Sequence, residues 1–127
     1  MSFSRARNHY ISSNELVETD ESKNARAILM ALDQLIEALN KLAVAKKPED
    51  REAPLEIALS RIYLLQKCLD FNLGGDLAKN LFRVYEYARQ SILSQSSTSL
   101  DAGKIENAKL YITQIREGWS EVVSKVK

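Results

Sequence analysis

The chain has 127 residues, 45% hydrophobic and 28% charged, with 18 basic and 17 acidic residues for a formal net charge of +1. That balance excludes the basic excess by which proteins hold nucleic acid or an acidic membrane surface. Only 4 Gly and 2 Pro interrupt the chain, which favours a few long helices in one domain over a many-stranded fold.

The opening stretch, "MSFSRARNHYISSNELVE", holds no steady apolar period. Residues 1–18 are expected to form a flexible tail in which Phe3, Tyr10, Ile11, Leu16 and Val17 are able to fold back onto an apolar surface. They lack the apolar core of a signal peptide, so the cytoplasm is the expected location. No apolar run approaches the length of a bilayer span, so no membrane insertion is expected.

Residues 19–127 read as four amphipathic helices. The first is expected to start near Thr19 or Asp20, both good capping residues. Its Ile28, Leu29, Leu32, Leu35, Ile36, Leu39 and Leu42 recur at gaps of three and four, which places them on one side of a helix. Lys41, Lys46 and Lys47 suit the negative end of its dipole. "KKPEDREAP" is a polar, proline-containing break. Pro54 suits the first turn of a second helix, where its missing N–H is not needed. The inner face there reads Leu55, Ala58, Leu59, Ile62, Leu65 and Leu69, and Gly74–Gly75 is expected to end the helix. A third helix follows, with Leu77, Leu81, Val84, Ala88 and Ile92 inward and Tyr85 at the edge. After the Ser-rich loop "SQSSTSLDAGK", a fourth carries Ile105, Ala108, Ile112, Ile115, Trp119, Val122 and Val126. Four such stripes with short connections predict an all-α protein, an antiparallel four-helix bundle.

Some large apolar residues do not fit these stripes. With Ile62 taken as the centre of the second helix's core face, a rotation of about 100° per residue puts Ile57, Leu64, Cys68 and Phe71 nearly opposite it. On the third helix Phe82 and Leu93 also point away from the inner face. A second apolar face is covered by the same chain, forms a homodimer seam, or receives a partner helix or peptide. The spacing leaves these three open, and a monomer or weak dimer is expected.

The chemistry of an enzyme is missing. His9 is the sole histidine and Cys68 the sole cysteine, too few for a zinc site, a di-iron Glu-x-x-His pair or a phosphotransfer histidine. A lone cysteine forms no internal disulfide, in keeping with a reducing compartment. No P-loop, G-x-G-x-x-G or G-x-S-x-G can be written. Glu15, Glu18, Asp20 and Glu21 make an ordinary acidic helix start. No catalytic residue, metal or cofactor is expected.

The segment "LDFNLGGDLAKNLFRVYEYARQSIL" resembles the flagellar secretion chaperone family FliS. The matching residues are Leu69-Asp70, Gly74-Gly75-Asp76, Ala78, Asn80-Leu81 and Tyr85-Glu86-Tyr87. "AILMALDQLIEAL" is similar to the family's first-helix pattern, though Leu32 and Gln34 flank Asp33 where Tyr and Gly are usual. "YITQIREGWSEV" is similar to its C-terminal pattern, with Arg116 and Trp119 in place, and Tyr10 corresponds to a tyrosine near the family's N-terminus. The resemblance implies a cytoplasmic helical chaperone that holds the disordered C-terminal segment of flagellin until type III export and prevents its premature polymerisation. Other flagellar export proteins are further candidate partners. On that reading Ile57, Leu64, Cys68, Phe71, Phe82 and Leu93, chosen by helix geometry, form the client groove, and Tyr10 and Ile11 are its movable cover. The competing reading is a self-associating adaptor bundle with no export role.

Overall fold

The computed structural model describes residues 20–94 and 102–125. The tail expected at residues 1–18, Thr19, the middle of the Ser-rich loop and Val126 lie outside the described residues, as does the side chain of Val122. The elements are α1 (Asp20–Val44), a 3₁₀ turn (Pro48–Asp50), α2 (Glu52–Lys67), α3 (Phe71–Leu93) and α4 (Ala102–Lys125). Among the described residues there is no strand, so the fold is the all-α four-helix bundle that the stripes predict.

The helices form a ring in chain order. α1 packs extensively against α2 and α4, and α3 closes the ring against the same two with thinner contacts. Burial follows the three-four spacing. Leu32, Leu35 and Leu39 of α1, Ile62 and Leu65 of α2, Ile92 of α3, and Ile105 and Ile112 of α4 are the largest fully buried side chains. Each contributes roughly 1.5–3 kcal/mol by leaving water. Small residues let the helices approach closely: Ala25, Ala31, Ala38, Ala58, Ala88 and Ala108 are buried as well.

Polar contacts fix neighbouring helices in register. Trp119 of α4 donates its indole N–H to the Ala25 carbonyl of α1 at 2.7 Å. Arg116 Nε donates to Asp33 Oδ1 at 2.7 Å, closing an α1–α4 ion pair on the surface. Arg61 Nε of α2 donates to Gln34 Oε1 of α1, and Gln66 Nε2 of α2 donates to Glu86 Oε1 of α3 at 3.1 Å.

The break between α2 and α3 differs from the sequence expectation. α2 ends at Lys67 rather than at Gly74–Gly75, and Leu69 packs on the core from the connection. The cause is Asp70, whose carboxylate accepts the N–H groups of Asn72 and Leu73 at 3.0 Å each and so starts a new helix. Phe71 therefore opens α3 instead of ending α2. Gly75 then takes φ 53° and ψ −127°, a kink inside α3 that glycine adopts without the Cβ penalty. A Cβ on Gly74 would lie 2.8 Å from that of Ala78, so position 74 is closed to a side chain.

The inward face of α3 also differs from the expected one at two positions. Its inward line runs through Ala78, Tyr85, Ala88 and Ile92, all buried. Tyr85, expected at the edge, is in the core, and Leu77, expected inward, is 66% exposed.

Candidate functional site

The site candidates lie on the outside of α2 and α3. Ile57, Leu64, Phe71, Phe82 and Leu93 are between 38% and 49% exposed, and Cys68 is exposed too. Two hydrogen bonds define where they point. Arg61 reaches Gln34 of α1. Ile57 lies four residues before it, Leu64 three after and Cys68 seven after, so all three share the α2 flank that borders α1. Glu86 accepts from Gln66 of α2. Phe82 lies four residues before Glu86 and Leu93 seven after, so they share the α3 flank that borders α2. The six residues thus divide into two strips on either side of the outer surface of α2. Phe71 joins the second strip: its ring meets that of Phe82 edge to face, centroids 6.0 Å apart.

Each strip carries a polar contact at its middle. In the first it is Arg61, bonded to Gln34 and to the Ser60 hydroxyl. In the second it is Glu86, which accepts from Arg89 Nε at 3.0 Å and from Arg89 Nη2, and also from Gln66 and Gln90 at 3.1 Å each. The hydrogen bonds from Arg89, then those from Gln66 and Gln90, hold its pKa at about 2, well below the ordinary 4.5. At the end of α2, burial pushes the Cys68 thiol up, with Lys67 pulling it the other way. Burial, and secondarily Cys68, push the Tyr85 hydroxyl up to about 12. Neither group is poised for proton transfer or nucleophilic attack near neutral pH.

Several exposed apolar residues were not singled out from the sequence. Tyr63, 66% exposed, lies three residues before Gln66 and so on the α3 side of α2, with Lys67 Nζ 5.9 Å from its ring centroid. Of its near neighbours on the helix, Ser60, Glu56 and Lys67 are polar and Leu59 packs on the core, so no outward apolar run marked it. Leu73 is 83% exposed beside the kink. Asp70, a capping residue ahead of the glycines, is the signal that Leu73 lies inside a helix rather than in a break. On the opposite side of α3, Tyr87 meets Tyr111 of α4 edge to face at 5.6 Å. Tyr10 and Ile11, the expected cover, lie outside the described residues.

A hollow of about 440 Å³ at the α1–α2 connection is lined by Lys41, Val44, Ala45, Lys46, Lys47, Asp50 and Pro54. Its lysines share it with Asp50, and Lys41 is already paired with Glu37 at 3.3 Å. Among the described residues no group of His, Cys, Asp and Glu is placed to hold a metal ion, and no helix is long and apolar enough to cross a membrane.

Together these features define a helical bundle with a complete core that nonetheless keeps lines of large apolar side chains on its surface. The family model described as flagellar protein FliS matches residues 6–126. A curated relative, the flagellar secretion chaperone FliSB of Pseudomonas aeruginosa, is 30% identical over 90 residues, 66% of this chain and 71% of the relative. No solved structure matches the chain. The chain belongs to the FliS family of flagellar secretion chaperones, a family of chaperones and not of enzymes.

Proposed function

We propose that this chaperone binds the disordered C-terminal segment of flagellin in the cytoplasm and keeps it from polymerising before type III flagellar export. The carrying observation is that Ile57, Leu64, Phe71, Phe82 and Leu93 stay on the surface while the core is already filled by other leucines and isoleucines. Surface lines of this kind attract an amphipathic segment that lacks a core of its own. Folding a disordered client onto them costs about 2–5 kcal/mol of ordering. Covering apolar surface on the order of 1,000 Å² or more exceeds that cost. The two strips, with Cys68, are the client contacts in this reading. Tyr10 and Ile11 cover part of them when no client is bound, so cover and client compete for one surface.

The test is co-purification of the chain with a C-terminal flagellin peptide, beside the same peptide with its apolar residues replaced by serine. Retention of the first and loss of the second is the expected result. Equal retention, or none, contradicts the proposal. Sedimentation of the purified chain addresses the competing adaptor: a concentration-dependent dimer that excludes the peptide identifies the strips as a self-association seam.

A further inference from the structure

The second strip is not uniformly apolar, and its interruption is built in a particular way. Phe82, Glu86, Arg89 and Leu93 follow one another at gaps of four, three and four, so they line one flank of α3 in the order apolar, polar, polar, apolar. From Phe82 to Leu93 is eleven residues, about 16 Å of helix. A partner helix lying along this flank crosses the ion pair whichever end it covers.

Glu86 has no capacity left for a partner. A carboxylate offers about four acceptor positions. Glu86 receives two bonds from Arg89, one from Gln66 and one from Gln90. The unspent valences of the cluster are mostly donors, those of the charged guanidinium foremost, beside the two amide carbonyl oxygens of Gln66 and Gln90. Only two N–H groups of the Arg89 guanidinium go to Glu86, and the others have no acceptor among the described residues. Each amide of Gln66 and Gln90 likewise has a second N–H beyond the one that Glu86 takes. The middle of the strip therefore presents mainly N–H groups, with the positive charge of Arg89 among them, between two apolar ends.

We propose that the Gln66–Glu86–Arg89–Gln90 cluster sets the register and the sequence preference of the docked client helix, by requiring a hydrogen-bond acceptor (Asn, Gln, Asp or Glu) between two apolar anchors. The inference rests on the client-binding reading above. An all-apolar helix laid here buries the cluster's donors without partners, which is costly, whereas a helix with an acceptor at that point satisfies them. A helix slipped by one turn loses both its anchors and its acceptor. A single polar position inside an otherwise apolar helix seam fixes register in the same way.

The test uses the full chain and its own exposed thiol, Cys68 at the end of α2, as the trapping point. C-terminal flagellin peptides, each with one cysteine at successive positions, are trapped on it by disulfide formation. One dominant trapping position is expected. In the Glu86→Leu/Arg89→Leu background, peptide binding persists and trapping spreads to positions a helical turn away. A second arm leaves the cluster intact. Replacing by leucine the client acceptor that meets it weakens binding about 10-fold or more, and the leucine double variant removes that penalty. Peptide that binds with the same single trapping position in both backgrounds, and tolerates leucine at every acceptor, overturns the register proposal and leaves the client reading standing. Failure of the unmodified chain to bind any such peptide overturns both.

Discussion

α1 and α3 have the same two neighbours and opposite surfaces. In α1 the large apolar residues turn inward: Leu32, Leu35, Leu39 and Leu42 are buried, and only Met30 and Val44 stand clear. In α3 the inward line mixes small Ala78 and Ala88 with Tyr85 and Ile92, and Leu81 and Val84 are half-buried against the core. Phe71, Leu73, Leu77, Phe82, Tyr87 and Leu93 remain exposed. α1 also makes the thicker contacts with the neighbours that both share. The contrast shows where the buried apolar mass of the bundle resides. α1 with its flanking helices is a framework, and α3 is held on it with its apolar side chains available.

The largest test of that contrast is a pair of truncations. Leu35→Ala leaves a cavity at a fully buried site and lowers stability by about 2–5 kcal/mol. Phe82→Ala, already 38% exposed, costs less than half as much. Urea denaturation of both variants checks this, and equal losses erase the distinction between framework and binding surface.

A smaller effect concerns how α3 begins. Asp70→Ala removes the acceptor of the Asn72 and Leu73 N–H groups and costs about 1 kcal/mol. Hydrogen exchange locates that loss in the first turn of α3, before the Gly75 kink, with α1 unchanged. Faster exchange throughout α1 instead indicates that the two regions unfold as one unit.

The smallest is a pH effect at the centre of the second strip. Glu86 has its pKa lowered from 4.5 to about 2 in the folded chain. Its stabilising contribution is therefore present in full above pH 4.5 and is lost as pH falls toward 2. Glu86→Gln melts below the unmodified chain at pH 7, and the gap closes as pH drops below 4.5. A gap that stays constant down to pH 2.5 contradicts the hydrogen-bonded geometry.

Much of the framework was legible in the chain because its signal is redundant. Seven apolar residues of α1 repeat at three-four spacing, and no local feature competes with them. The α2–α3 junction was misread because two stop signals lie close together. Gly74–Gly75 looks like the stronger, yet a capping carboxylate begins a helix wherever its side chain finds two free N–H groups, and Asp70 lies upstream. The glycine permits a kink; it does not force an end. Exposure of Ile57, Leu64, Phe82 and Leu93 followed from helix rotation alone. Their division into two strips did not, because it depends on which neighbour each flank meets, and that is recorded in Arg61–Gln34 and Glu86–Gln66 rather than in any periodicity.

The central claim is that surface apolar side chains bind the client without holding up the fold. Its most direct test is Leu64→Asp, measured by calorimetric titration with a C-terminal flagellin peptide and by thermal unfolding of the same preparation. Peptide binding is lost while the thermal transition stays within a few degrees of the unmodified chain. A variant that unfolds, or one that binds the peptide as well as before, contradicts the account.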